Sequence, residues 1–264
     1  MRPVYMAKRV ADFSATERGP WYMLVFMGMF LIFVAALARE MRSRSKGYFL
    51  KPFQLVYYGL FFGIYGVSVP VTLVLARSPV NMFRCDLSLG VEFDFRVTTF
   101  SYVVCLYLIL KLINTMDIVF LLLTRHESQI TFGHLMNSVL DPFILYGEMN
   151  YYPGGIVYFP LLVDSAVSMI KYGLSARSCA GGIKPVANWQ RIVHNLRLTQ
   201  YLATTLHSLY ALSINDCECP LSLRYFLLTV HFTLAVSYTV DWIRGSDSLE
   251  SSSKTIAVKC IKSQ

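Results

Sequence analysis

The chain has 264 residues, of which 55% are hydrophobic and only 15% are charged, and its mean hydropathy is +0.48. In soluble domains about a quarter of all residues are charged, so this composition excludes an ordinary soluble globular protein. The formal net charge is +8. The basic residues form no clustered stripe, and we expect no nucleic-acid partner.

Apolar segments long enough to cross a bilayer recur along the chain at short intervals. A transmembrane helix needs roughly 17–25 predominantly apolar residues. The pattern predicts an all-α, polytopic membrane protein of about seven helices in a single membrane domain. The predicted spans are, in chain order, 21–38, 53–76, 99–123, 129–146, 155–174, 196–214 and 221–243.

The two ends of the chain are predicted to lie outside this bundle. Residues 1–20 are a non-cytosolic leader, 21–243 the transmembrane bundle, and 244–264 a polar, Ser-rich tail expected to be disordered and cytosolic. Residues 36–38 are similar to a signal-peptidase site, but the leader carries Asp12 and Glu17, and we expect the first helix to be retained.

Lysine and arginine are concentrated in the odd-numbered loops. The first loop carries five of them, whereas loops 147–153 and 215–220 carry none. Basic residues favour the cytosolic side, so the odd-numbered loops and the tail are predicted to be cytosolic and the N-terminus lumenal. Cys85, Cys217 and Cys219 then share the non-cytosolic side, where a disulfide is permitted; free thiols are the alternative that the sequence leaves open.

Polar and charged residues recur at helical spacing inside four consecutive predicted spans. An ionisable residue at the centre of a span costs about 2.5–3.5 kcal/mol on translocon scales, so charges of both signs indicate a polar seam that faces protein, not lipid. Hydrogen bonding between helices, at about 0.6 kcal/mol per pair, is the simpler alternative for any one residue. The seam comprises Lys111, Asn114 and Asp117; His134, Asn137, Ser138 and Asp141; Asp164, Ser168 and Lys171; and Arg197, Gln200, Thr204 and His207.

Several of these segments are similar to known motifs. Residues 111–117 are similar to K-x-x-E-x-x-D, residues 129–138 to a segment with an H-x-x-H-H box, residues 152–155 to a P-G-G loop, and residues 217–220 to C-x-F-P. In their order and spacing they resemble the very-long-chain fatty acid elongase family of 3-ketoacyl-CoA synthases. Members of that family condense malonyl-CoA with a long-chain acyl-CoA in the endoplasmic reticulum.

The resemblance implies a fold and a setting. It implies six helices in a ring around an internal tunnel, one peripheral helix and a Cys85–Cys217 disulfide. It also implies a protein of the endoplasmic reticulum membrane whose substrates are acyl-CoA and malonyl-CoA, with no bound cofactor and no metal. The implied partners are the lipid bilayer, acyl-CoA, and other elongases or elongation-cycle enzymes. The polar residues expected to line the tunnel are Lys111, Asn114, Asp117, Asp141, Lys171, Arg197, Gln200 and His207.

The chain departs from the family pattern at the positions that carry the chemistry. The histidine box keeps only His134, with Asn137 and Ser138 in place of the paired histidines. Ser168 stands where the next motif has histidine, and Asp164 where it has asparagine. Asn114 and Arg197 likewise replace a glutamate and a glutamine of the family pattern.

These replacements leave two functions open. The family reaction transfers the acyl group to a histidine before malonyl-CoA attacks, which requires a nucleophilic imidazole. Asn137 is not a base, and Ser138 requires an adjacent base such as His134, one helical turn away. The chain is therefore either an active acyltransferase with a rearranged site, or an inactive elongase paralogue, a pseudoenzyme, that binds acyl-CoA or lipid or partners an active elongase. A seven-helix receptor or transporter is a third hypothesis, which the motif order disfavours.

Overall fold

The computed structural model describes residues 19–44, 47–83, 95–124, 130–151, 155–181, 187–214, 217 and 219–262, and the regular structure within these ranges is entirely helical. The α-helices are α1 (Gly19–Ser43), α2 (Lys51–Ala76), α3 (Phe95–Asn114), α4 (Met116–Leu123), α5 (Phe132–Tyr151), α6 (Tyr158–Cys179), α7 (Ala187–Ser213) and α8 (Leu221–Lys262). Short 3-10 helices cover Pro79–Phe83 and Gly155–Val157. The predicted all-α membrane architecture of about seven spans is confirmed, because α3 and α4 share one span.

Local sequence explains where several helices begin, end or break. Pro52 lies in the first turn of α2, where its missing N–H costs nothing, and Arg77 ends that helix with a φ of 61°. Thr115 separates α3 from α4, and its hydroxyl donates to the Leu112 carbonyl at 2.7 Å. Pro142 lies inside α5, and the helix continues past it to Tyr151.

Within the described residues, four helical segments are both long and apolar enough to cross a membrane by themselves. They are Trp21–Ser43, Lys51–Ala76, Tyr102–Leu123 and Leu221–Arg244. Helices α5, α6 and α7 have 20, 22 and 27 residues, which is also sufficient length, but they carry most of the polar seam. Their polar faces need protein neighbours in a bilayer, and the arrangement of the helices supplies them.

Six of the spans form a ring. Helix α2 packs against α6, α6 against α7, α7 against α8, α8 against α5, and α5 against α3. The ring closes between α3 and α2, where the Tyr107 and Tyr65 rings lie 5.6 Å apart and the Tyr57 hydroxyl donates to the Ile113 carbonyl at 3.3 Å. Helix α1 lies outside the ring and packs against α4.

The outer surface and the last helix complete the architecture. Large apolar side chains such as Ile32 and Val74, which are 71% and 75% exposed, cover the outer faces, as expected for a surface in contact with lipid. Helix α8 extends to Lys262 through the segment that the sequence predicted to be disordered. After Gly245 that segment contains no proline and no second glycine to interrupt a helix. The predicted leader, 1–20, lies almost wholly outside the described residues.

Candidate functional site

Four charged side chains from four different helices meet inside the ring, and we call them the charge cluster: Lys111 (α3), Asp141 (α5), Asp164 (α6) and Arg197 (α7). The Lys111 Nζ atom lies 2.9 Å from Asp141 Oδ2 and 2.6 Å from Asp164 Oδ2. The Arg197 Nη1 atom lies 2.7 Å from Asp164 Oδ1. All four residues are at most 8% exposed. Two positive and two negative charges make the cluster formally neutral, which is the condition for burying it.

Hydrogen bonds saturate the Asp164 carboxylate and extend the cluster. Gln200 donates to Asp164 Oδ1 at 2.9 Å, and the Tyr107 hydroxyl donates to Oδ2. Arg197 donates through Nη1 to Gln200 Oε1 at 2.8 Å and through Nη2 to Ser168 Oγ at 2.9 Å. Ser168, at a family histidine position, is thus a hydrogen-bond acceptor for a guanidinium.

Asn137 occupies another family histidine position and also belongs to this network. Its amide orientation is set by its neighbours: with its nitrogen facing Asp141, it donates to Oδ2 at 2.9 Å and to Oδ1 at 3.1 Å. The Tyr201 hydroxyl contacts Asn137 and lies 3.2 Å from Asp141 Oδ1. Asn137 therefore supports a carboxylate and has no free group with which to act as a base.

Ser138 and His134 do not form the nucleophile–base pair considered from the sequence. The Ser138 hydroxyl donates to the backbone carbonyl of His134 at 3.0 Å, and not to its imidazole. This is the usual behaviour of a serine inside a helix, where the hydroxyl bonds the carbonyl one turn earlier.

Three other seam residues lie beside a layer of tyrosines. Lys171 forms an ion pair with Asp117, whose Oδ2 also accepts a hydrogen bond from the Tyr172 hydroxyl at 3.0 Å. The Tyr172 ring stacks on Tyr65 at 5.6 Å, and Asn114 donates to the Tyr65 hydroxyl. Since Tyr65 also contacts Tyr107, the tyrosine layer separates this second ion pair from the charge cluster.

His207 and Thr204, the last seam residues of α7, are both buried but have different surroundings. The His207 Nε2 atom lies 3.1 Å from the Met82 carbonyl, and the ring stacks on Phe159 at 4.7 Å. Thr204 donates to the Tyr201 carbonyl at 3.2 Å and lines the cavity described next. Of the two, His207 packs at the end of the bundle near the 3-10 helices, apart from the cluster.

A small cavity adjoins the charge cluster. Its volume of about 30 Å³ holds one or two water molecules. Lys111, Asp141 and Gln200 line it, and so do Glu148 and His231, which the sequence did not single out. An acyl-length tunnel stays a prediction.

Sequence signals for the two missed residues did exist. Glu148 continues the α5 stripe at seven-residue spacing from Asp141, but the predicted span ended at Tyr146 and assigned Glu148 to a loop. His231 lies in the seventh predicted span, which is not one of the four spans of the polar seam. Its Nδ1 atom lies 3.0 Å from the Ser208 hydroxyl.

The cysteines fall into bonded and free groups. Cys217 is disulfide-bonded, and Cys85 lies outside the described residues, so its identity as the partner stays a prediction. Cys105, Cys179 and Cys219 are free. Burial raises the pKa of the Cys219 thiol to about 12. Among the residues described, no three His, Cys, Asp or Glu side chains are grouped so that they would hold a metal ion.

The fold and the site together define a class: a polytopic α-helical membrane protein with a ring of spans around a buried, charged interior. Residues 16–244 match the model of the ELO family, described as the GNS1/SUR4 family. Because this match covers most of the 264 residues, the chain belongs to the ELO family. The family predicted from the motif order is confirmed.

Curated relatives agree with this assignment at low identity. The chain is 23% identical to very long chain fatty acid elongase 7 of Rattus norvegicus, over 84% of this chain and 79% of the relative. It is 22% identical to human very long chain fatty acid elongase 1, over 86% and 77%. It is 28% identical to very long chain fatty acid elongase 5 of Tachysurus fulvidraco, over 62% and 54%. Membership of this family supports a role in fatty acid elongation.

Proposed function

We propose that this chain serves fatty acid elongation in the endoplasmic reticulum membrane as a catalytically inactive elongase paralogue. In this role it binds an acyl-CoA or lipid, or partners an active elongase, and does not itself condense malonyl-CoA with acyl-CoA. The family assignment and the names of the relatives support the pathway. The contacts of the substituted histidine positions support the loss of the reaction.

The observation that carries the proposal is that all three substituted positions are engaged in structural hydrogen bonds. Asn137 bonds Asp141, Ser138 bonds a backbone carbonyl, and Ser168 accepts from Arg197. In none of these contacts does a serine hydroxyl donate its proton to a base, as a serine nucleophile must.

Electrostatics around Ser168 reinforce this conclusion. Arg197 is its hydrogen-bonded neighbour, and a guanidinium stays protonated in proteins and cannot accept the serine proton. The carboxylates closest to the site, Asp141 and Asp164, are already paired with Lys111 and Arg197. The interior thus resembles a neutral structural core more than a set of reactive groups.

A condensation assay tests the proposal. The purified, reconstituted chain is incubated with malonyl-CoA and acyl-CoAs of graded length, beside an active elongase prepared identically. We expect no 3-ketoacyl-CoA from this chain at any length. Product from the unmodified chain that is lost in His134→Ala would instead establish the active acyltransferase, in which the retained Lys111, Asp117 and Gln200 serve a rearranged site.

Binding to an active elongase is tested separately. Co-expression with an active elongase and capture through a tag on this chain should recover the elongase, and should change its turnover or its chain-length distribution. A variant of α1, the peripheral helix outside the ring, is the control that shows whether the elongase is bound through that helix. If the elongase is neither captured nor altered, and labelled acyl-CoA does not bind this chain, the proposed role is wrong.

The membrane orientation belongs to the same proposal. The charge asymmetry of the loops supports a lumenal N-terminus and a cytosolic C-terminus. Glycosylation acceptor sites introduced at each end should be modified only at the N-terminus. Modification at the C-terminus would reverse the assignment.

A further inference from the structure

Glu148 is a buried acidic side chain that none of the above functions uses. It lies near the end of α5, is 1% exposed, and borders the small cavity beside the charge cluster. Its Oε1 atom has no hydrogen-bond partner, and no ion pair within 4 Å joins Glu148 to any described residue. A carboxyl group in such a position requires an explanation.

The charge cluster is already balanced without Glu148. Asp141 on the same helix is paired with Lys111 of α3, and Asp164 of α6 is paired with Lys111 and Arg197. An ionised Glu148 would therefore add a negative charge that no member of the cluster compensates. Isolated buried charges are so unfavourable that the group is neutralised instead.

Among the described residues, no basic group of the neighbouring helix α8 forms an ion pair with Glu148 within 4 Å. Arg224 uses Nη1 to donate to the carbonyls of Ala211 and Ile214, at 3.0 and 3.1 Å. His231, which borders the same cavity, is held through Nδ1 by Ser208.

A metal cation is also disfavoured as the neutralising partner. The Lys111 side chain borders the cavity and would repel a second cation. In addition, no group of acidic, histidine and cysteine side chains in the described ranges is suited to hold a metal ion. A proton carries the same charge and needs only one carboxylate oxygen.

We propose that Glu148 binds a proton and that the neutral carboxyl, with one or two water molecules in the cavity, forms a hydrogen-bonded bridge between the Asp141–Lys111 pair and His231. The volume of about 30 Å³ fits that number of waters. The cavity offers them polar partners on Glu148, Asp141 and His231. The site is a proton and water site inside the bundle, and it does not depend on whether the chain condenses acyl-CoA.

Infrared difference spectroscopy of the purified, folded chain at neutral pH tests this inference. The carbonyl stretch of a protonated carboxylic acid should be present in the natural chain and absent from Glu148→Gln, and it should shift in deuterium oxide. Glu40→Gln, at an exposed carboxylate, is the matched control and should keep the band. A spectrum with only ionised carboxylates, or a band that persists in Glu148→Gln, would overturn the proposal.

A second pair of variants tests the water bridge and guards against misfolding. Glutamine mimics a neutral carboxyl and can bond the same waters, so Glu148→Gln should keep the thermal midpoint of the natural chain. Glu148→Leu cannot bond the waters and should lower it. Equal midpoints for Gln and Leu would contradict the bridge, and a large loss with Gln would contradict the neutral carboxyl.

Discussion

Replacing Lys111 by methionine is the sharpest test of the charge cluster as the core of this fold. Lys111 is 5% exposed and contacts Asp141 at 2.9 Å and Asp164 at 2.6 Å. At an effective dielectric constant of about 20, the attraction across 2.9 Å is about 6 kcal/mol before desolvation is considered. Asp164 retains Arg197 in the variant, whereas Asp141 loses its only cationic partner among the described residues.

We expect Lys111→Met to lower the free energy of unfolding by about 3–5 kcal/mol, because it leaves a buried carboxylate uncompensated. The measurement is reversible unfolding in mixed micelles with increasing denaturing detergent, followed by tryptophan fluorescence. Lys51→Met, at an exposed lysine, is the matched control and should change stability by no more than about 0.5 kcal/mol.

A double variant separates charge imbalance from lost packing. Lys111→Met combined with Asp141→Leu removes both charges of one pair and should recover at least half of the loss, since an apolar replacement of a whole buried pair is often neutral. A loss below about 1 kcal/mol in the single variant would refute the reasoning. So would a double variant that is less stable than the single one.

Three further predictions address packing and the cysteines. In Gly133→Ala the new Cβ would lie 2.9 Å from a carboxylate oxygen, so the same unfolding assay should show a free energy of unfolding lower by about 1–3 kcal/mol. Gly28→Ala is the control and should show no loss, because the space around Gly28 is open. Cys217→Ser removes a disulfide and should cost about 2–5 kcal/mol and change electrophoretic mobility without reductant; identical mobility would contradict it. The thiol pKa of Cys219 is raised to about 12, so in the folded chain at pH 8 Cys219 should be alkylated far more slowly than Cys179. The alkylation rate of Cys219 should increase about tenfold per pH unit, and equal rates for the two cysteines at pH 8 would contradict its burial.

The inward orientation of the polar seam was predictable because it follows from helical periodicity. Residues three, four and seven positions apart share a face, so Lys111, Asp141 and Asp164 had to face protein once their spans were recognised. Which partner each would meet depends on how helices distant in sequence are packed. Sequence spacing contains no such information, and the Lys111–Asp141 pair therefore appears only in the structure.

The errors have equally local causes. Hydropathy falls at Glu148, and the predicted end of the fourth span rests on that fall. Helix α5 continues past this point because its backbone hydrogen bonds do not depend on side-chain polarity. Ser138 and His134 were correctly placed one turn apart, yet the serine bonds the backbone, a competing partner that is always within reach in a helix. His207 shares the spacing of the seam, and α7 is long enough to carry it toward Met82 and Phe159; its place along a tunnel stays a prediction.

Acylation of the chain is the measurement that tests the central claim most directly. The family reaction begins with transfer of an acyl group from CoA to the protein, which raises the protein's mass by that group. We predict that the intact mass of the purified chain stays unchanged after incubation with long-chain acyl-CoA, while an active elongase treated in parallel is acylated. An acyl adduct on this chain that disappears in His134→Ala or Ser138→Ala would contradict the claim that its site has lost the chemistry.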